Sequence, residues 1–326
     1  MKSAEKLLQF IQKNGPSSID ELSIFSNFSR QYIHRLINKM VEGGELLKMG
    51  QAPKVFYSTT PLEDDVNSNK VIPYQTELFL QEHFLLIDAL GTKKEGLEAM
   101  SYWCQNQNLP LSKTIDEFIS TRNKYLSHYN KEHLIDGLSK LKHTSGLGLI
   151  GMDELYYLDY YTIERFGKTR LGTLMHYAKQ GQNKNLIKII ASEIKNRLHN
   201  LIISKEIDAI AYIPPTIQRK IQFITELEKQ INFDLPKLTI SKISNEIVIP
   251  QKALSKLFER VLNAQNTFVI PNQKKYNRVL LIDDAVGSGA TMNEISKKLK
   301  AKKIARHIIG IAITGSYKGF EVLSEL

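Results

Sequence analysis

The stretch Val279-Leu280-Leu281-Ile282-Asp283-Asp284-Ala285-Val286-Gly287-Ser288-Gly289-Ala290-Thr291-Met292 decides the reading of this chain. Four apolar residues without polar alternation read as a strand buried on both faces, the pattern of a parallel sheet. Two carboxylates follow where such a strand meets the ligand crevice of an open α/β sheet, and there they can accept hydrogen bonds from the vicinal hydroxyls of a ribose. Gly287, Ser288, Gly289 and Ala290 carry little bulk, so their backbone can approach an anion closely, and Thr291 is suited to cap a helix running to Lys300. The positive end of that helix and its free N–H groups converge on one phosphate. Diol and phosphate together imply a phosphoribosyl group, with Asp283 and Asp284 on the ribose and Ala285, Val286, Gly287, Ser288, Gly289, Ala290 and Thr291 around the 5-phosphate. A surface turn with two solvated aspartates is the plainer reading, but it does not require this succession of residues.

Outward from this stretch, the chain from about Leu171 to its end alternates helical and extended patterns, which predicts a parallel sheet with helices on its faces. Leu171 to Lys179 and Leu186 to Ile203 read as helices, and Asp208 to Ile213 as a buried strand broken by Pro214-Pro215-Thr216. A helix carrying Arg219 and Lys220 follows. Lys237 to Ile240 and Thr267 to Ile270 read as short strands, Arg278 to Ile282 as the central one, and His307 to Thr314 as a further apolar strand.

The stretch from Val279 to Thr291 resembles the phosphoribosyl pyrophosphate (PRPP) loop of type I phosphoribosyltransferases, in which four apolar residues, two acids and two apolar residues precede Thr-Thr-Gly, one residue and Thr. Here Gly287-Ser288 replaces the Thr pair, so one side-chain hydroxyl is lost while the backbone donors remain. Residues 171–326 also resemble the ComF-like branch of that family. Tyr177-Ala178-Lys179-Gln180-Gly181 looks like its lysine-containing segment. Ile213-Pro214-Pro215, followed by Arg219 and Gln222, is similar to the strand end and basic turn that hold pyrophosphate. Gln251, Leu254, Arg260, Asn263 and Phe268 echo its Gln-Leu-Arg-Asn-Phe pattern, with one extra residue before Arg260.

The resemblance implies displacement of pyrophosphate from ribose C1, which builds positive charge on the ring and negative charge on the leaving group. Such a site needs cations or Mg²⁺ at the pyrophosphate and a shield from water. Asp283, Asp284 and Arg260 are the expected catalytic residues, and Pro215, Thr216, Arg219, Lys220 and Lys256 the expected pyrophosphate contacts. About Ser241 to Gln265 corresponds to the family's mobile cover. Mg²⁺ is expected to enter with PRPP, and no metal site made of protein ligands alone is read.

Residues 1–60 read as three short helices and a hairpin. Ala4, Leu7, Leu8 and Ile11 share one helical face, and Ser17 or Ser18 is placed to cap a second helix. In the third, Ile33, Leu36, Ile37, Met40 and Val41 form an apolar stripe that leaves Arg30, Gln31, His34, Arg35 and Asn38 exposed. Leu46 to Lys48 and Val55 to Tyr57 read as strands around a basic tip. This order resembles a winged helix-turn-helix, which implies nucleic-acid contacts through Arg30, Gln31, His34 and Arg35, with Lys48 and Lys54 of the wing near phosphate. Eight Lys or Arg stand against five acids in this segment, a modest excess. Dimerisation or peptide contact is the alternative use of such a fold.

Residues 61–72 are polar and read as a linker, and residues 73–170 as a helical middle region. Its candidate helices lie around Glu77 to Leu90, Lys94 to Gln105, Ser112 to Tyr125 and Asp153 to Arg165. Tyr156, Tyr157, Tyr160 and Tyr161 fall on one face of the last of these, which suits packing better than base stacking. Gly146 to Gly151 has dinucleotide-binding glycine spacing, but no apolar strand precedes it.

The 326 residues allow two or three domains. Lys and Arg outnumber Asp and Glu by 44 to 34, which favours phosphorylated or nucleic-acid partners. One cysteine, Cys104, excludes an internal disulfide. No apolar run approaches the length of a membrane span, so the chain reads as cytoplasmic with no membrane partner, and a homo-oligomer stays open. Three functional readings follow. One is a phosphoribosyltransferase coupled to a nucleic-acid-binding winged helix, and another is a PRPP-sensing transcription regulator with the domain order of the Gram-positive purine repressor. In the third, the chain is similar to nucleotide-metabolising effectors of anti-phage systems.

Overall fold

Helix caps and apolar stripes set the first elements of the chain. In the computed structural model, residues 3–43, 45–51, 54–58, 72–243, 249, 253–254, 256–271 and 274–317 are described. Gln251, Ala52, Pro53 and nearly all of 61–72 lie outside them, as do the side chain of Lys54 and parts of 241–265. The chain divides into two units, Met1–Ser120 and Thr121–Leu326.

The first unit contains α1 (Ser3–Asn14), β1 (Ser17–Ser18), α2 (Ile19–Ser26), α3 (Arg30–Glu42), β2 (Leu47–Gln51) and β3 (Lys54–Ser58). Ser18 caps α2 through a reciprocal box with Glu21, its N–H donating to Glu21 Oε2 at 2.7 Å. Ser29 caps α3 by accepting from the Tyr32 N–H at 3.3 Å. Leu7, Ile11, Leu22, Ile33, Ile37, Met40, Leu46 and Tyr57 form one core. An antiparallel sheet in the order β1-β3-β2 closes it.

α4 (Tyr74–His83), β4 (Leu85–Ile87), β5 (Lys93–Glu95) and α5 (Gly96–Gln107) follow, then α6 (Leu111–Leu126), which the division between the units crosses. The helix expected from Glu77 to Leu90 therefore ends at His83. Asp88 nucleates a turn instead, its Oδ1 accepting the N–H groups of Leu90 and Thr92 at 3.0 and 2.8 Å, and a hairpin forms.

The second unit is built on a five-stranded sheet. Its elements are β6 (Ile135–Asp136), α7 (Leu138–His143), β7 (Glu154–Tyr160), β8 (Thr162–Ile163), β9 (Gly167–Lys168), α8 (Arg170–Gln180), α9 (Lys184–Ser204), β10 (Ala209–Tyr212) and α10 (Phe223–Ile231). β11 (Ser241–Lys242), α11 (Leu257–Thr267), β12 (Phe268–Val269), β13 (Tyr276–Val286), α12 (Ala290–Ala301) and β14 (Ala305–Gly315) complete it. The order is β10-β13-β14-β7-β6, with the first four strands parallel, so their carboxyl ends share one edge.

Two expectations are corrected here. The helix expected from Asp153 to Arg165 is strand β7 with the β8–β9 hairpin, so the sheet draws on the middle region whose sequence pattern is helical. Tyrosines favour strands, and their spacing fits a helix face only by coincidence. The ring of Tyr157 packs so closely on Gly137 and Gly315 that a Cβ there would stand 2.6 and 2.2 Å from it. In addition, β13 does not end at Ile282. Pairing with β14 continues through Asp283 opposite Ala312, Ala285 opposite Thr314 and Val286 opposite Gly315, so both aspartates lie inside the strand.

The glycine-rich run 146–151 packs against α12. Gly151 N–H donates to the buried Asn293 Oδ1 at 2.8 Å, and a Cβ on Gly151 would stand 2.6 Å from the backbone nitrogen of Lys297. Near the carboxyl end of β7, buried Asp159 is gripped by both terminal nitrogens of Arg122, at 2.9 and 3.0 Å, and by the Tyr129 hydroxyl at 2.7 Å.

Candidate functional site

At the carboxyl edge of the sheet a cavity of about 190 Å³ opens between the ends of β10 and β13. Ile213 to Ile217 and Arg219 line it from the β10 side, Asp283, Asp284, Ala285 and Thr291 from the β13 side, and Lys179 and Phe268 also border it. Val286 and Gly289 are buried beside it, Gly287 and Ser288 are half-buried, and none of the four lines the cavity; nor does Ala290.

Two sequence neighbours inside the last pleats of β13 bring two carboxylates together. Asp284 N–H donates to Asp283 Oδ1 at 2.7 Å. Burial, and then the charge of Asp284, push the Asp283 carboxyl well above the usual carboxylate range, so the pair holds a proton near neutral pH. Lys179 Nζ donates to Asp284 Oδ2 at 2.8 Å. Asp283 Oδ2 and Asp284 Oδ1 keep no donor among the described residues.

The helix after the turn begins at Ala290, two residues earlier than a Thr291 cap implies. Its N-cap is Gly289 with φ +72°, a conformation that L side chains rarely adopt, and no side chain caps the helix. Thr291 is therefore not the cap, and its side chain is left to the cavity. Ser288 Oγ accepts from the Ala290 N–H at 3.4 Å.

The basic side departs from the sequence reading in two ways. Arg219 donates to the backbone carbonyl of Lys179, and Gln182 Oε1 accepts the Ile221 N–H at 2.9 Å, so the turn after β10 is fastened to the end of α8. Lys220 is exposed and off the cavity. Lys256 precedes α11 with its ammonium 5.9 Å from the Phe258 ring, and Arg260 Nε donates to Leu254 O at 2.7 Å. Neither is among the residues that border the cavity.

The cation that sequence reasoning missed is Lys242. Its Nζ lies 3.2 Å from Thr216 Oγ1, 3.4 Å from Asn263 Oδ1 and 4.8 Å from the centre of the Phe268 ring. No carboxylate among the described residues pairs with it, and burial pulls it down to about 8. Nothing in the sequence around a lone lysine in a two-residue strand marks it; only the pairing of β11 with β12 brings it to Thr216.

Mg²⁺ was expected with the ligand. Asp283 and Asp284 are oxygen donors of the right kind, but Asp284 is already held by an ammonium, and no group of three or more metal-ligating side chains gathers among the described residues. The residues present do not fit a protein-held cation.

In the first unit, Gln31, His34, Arg35 and Lys48 are exposed, and Arg30 forms an exposed ion pair with Asp20 at 2.8 Å. No helix among the described residues is long and apolar enough to cross a membrane.

No protein-family profile matches the chain, and no curated protein matches it. Among solved structures, a hypoxanthine phosphoribosyltransferase from Staphylococcus aureus is similar at 15% identity with a TM-score of 0.24, over 40% of this chain. The chain covers 62% of that enzyme's length.

Proposed function

We propose that the second unit is a phosphoribosyltransferase-like domain that binds PRPP or a related ribose phosphate in this cavity and transfers or releases its phosphoribosyl group. One observation carries the reading: Asp283 and Asp284 near the end of parallel strand β13, and Thr291 in the first turn of α12, share a cavity with Lys179 and Arg219. The free carboxylate oxygens suit the ribose diol. The turn from Gly287 to Thr291, at the positive end of α12, suits the 5-phosphate. Thr216 and Arg219, with Lys242 beside them, suit the departing pyrophosphate. Lys179 and Arg219 border the cavity and Lys242 lies beside Thr216, against an acid pair that keeps one proton, so the cavity favours an anion. During reaction, Arg219 and Lys242 stabilise charge that develops on the leaving group, while Phe268 and Ile217 limit access of water.

PRPP titration tests this. Asp284→Asn removes a charged acceptor, worth about 1.5–3 kcal/mol, and is expected to weaken PRPP by about 10- to 150-fold with the fold intact. Unchanged affinity would remove the site from this cavity. Pyrophosphate release with a panel of bases then separates a transferase from a PRPP-sensing regulator, which would make the same contacts without turnover.

For the first unit we propose nucleic-acid binding by a winged helix. The exposed polar face of α3, opposite its buried stripe, supports it, with Arg35 and His34 foremost. A shift in duplex mobility that weakens with salt is the expected behaviour.

A further inference from the structure

We infer that Lys179 is the built-in cation of this site, so that a phosphorylated ribose binds here without a divalent metal ion. The inference rests on the phosphoribosyl reading and goes beyond it, because a site of that kind was expected to take Mg²⁺.

The geometry of Lys179 is that of a fixed charge. Its ammonium contacts Asp284 Oδ2 at 2.8 Å, and both side chains are only about one-fifth exposed, at 20% and 23%. It stands in the last turn of α8, where unpaired carbonyls favour a cation. Its own carbonyl accepts from Arg219, and Gln182 ties the same helix end to Ile221. Backbone and side chain are thus held at both ends, and little entropy is left to lose when a ligand arrives.

An ammonium carries three donors. One is used on Asp284, which leaves two for oxygens of a ligand seated against the acid pair. A divalent ion at the remaining oxygen of the same carboxylate would sit close to this positive charge. Mg²⁺ beside a phosphorylated ligand usually draws on one or two protein carboxylates, and here one of the two, Asp284, is already held by Lys179 while burial and the neighbouring charge keep Asp283 protonated. The lysine also explains why two adjacent carboxylates are tolerated beside a phosphate site: it offsets the charge that would otherwise repel the anion.

The test is isothermal titration of the full chain with ribose 5-phosphate and with PRPP, each in EDTA and in excess Mg²⁺. The wild-type chain is expected to bind both probes about equally in the two buffers. Lys179→Met keeps the stem and removes the charge. It is expected to lose more than about tenfold in EDTA and to regain most of that with Mg²⁺, since the bared carboxylate then accepts a metal. Lys179→Arg, which keeps the charge, should still bind in EDTA, and it serves where the Met variant fails to fold. Two results overturn the inference while leaving the phosphoribosyl reading standing: wild-type binding that vanishes in EDTA, or a folded Met variant that binds in EDTA like the wild type. Absence of binding by any form in either buffer overturns both.

Discussion

Leu141 roofs Gly289: a β-carbon at residue 289 would stand 2.3 Å from Leu141 Cδ1. The sequence alone suggests that this glycine is small so that an anion can approach, but the space where a side chain would go is filled by α7. Gly289 also holds φ +72° at the start of α12. Two separate costs therefore meet at one position, a clash with Leu141 and a backbone conformation that costs an L residue about 1–2 kcal/mol.

Gly289→Val is accordingly expected to lower stability before it affects any ligand. Thermal unfolding of Gly289→Val and of Gly289→Val/Leu141→Ala checks the division. The second variant should recover the steric part and keep the backbone penalty. If removing Leu141 recovers nothing, the contact is not the cause.

The buried grip on Asp159 gives a second prediction. Arg122→Met leaves a carboxylate inside the protein with the Tyr129 hydroxyl and the Tyr160 N–H as its remaining donors. Breaking one side of such a pair costs about 3–5 kcal/mol, whereas replacing both sides with apolar residues often costs little. Urea unfolding should show Arg122→Met well below the wild type and Arg122→Met/Asp159→Leu much closer to it. Equal losses for the two would mean that packing, not the stranded charge, sets the cost.

How far these sites can be read from sequence depends on how local their causes are. The run from Val279 to Thr291 declares itself because strand, acids and turn lie in one continuous stretch. The stripe of α3 is equally local, and Ile33, Ile37 and Met40 are buried as the spacing requires. β7 reads as a helix because four tyrosines at i, i+1, i+4 and i+5 satisfy a helical period, while the deciding contact, Tyr157 against Gly137 and Gly315, spans up to half the chain. Lys179 was visible only as part of a resemblance, and its bond to Asp284 crosses 105 residues. Lys242 depended on a two-residue pairing that no periodicity announces. Arg260 and Lys256 stand outside the cavity lining, and their position could not be read from sequence for the converse reason: a basic helix face says nothing about the direction in which the helix will turn it.

In the first unit, Arg30 and Arg35 should not contribute equally to nucleic-acid binding. Arg30 is already paired with Asp20 at 2.8 Å, while Arg35 is exposed on the same helix. Arg35→Ala is expected to weaken duplex binding more and to reduce its salt slope by about one counterion, and Asp20→Asn to strengthen binding by releasing Arg30. Fluorescence anisotropy at several salt concentrations measures both. A larger loss from Arg30→Ala than from Arg35→Ala would show that the ion pair opens on binding.

Lys242 gives the site a pH dependence with a definite sign. Burial lowers this lysine from 10.5 to about 8, so the ammonium is present below pH 8 and is lost as pH rises through it. If it contacts a phosphate, affinity for PRPP falls between pH 7 and 9, and Lys242→Met starts weaker but stays flat across that range. Folding stability moves the other way. The unfolded chain keeps this proton up to about 10.5, so between about 8 and 10.5 the native state binds fewer protons and gains stability as pH rises. The gain is small because the side chain is only half-buried. Isothermal titration at pH 7, 8 and 9 reads the affinity, and urea unfolding at pH 8 and 10 reads the stability. A parallel decline in affinity for wild type and Lys242→Met would assign the pH dependence to another group and remove Lys242 from the anion site.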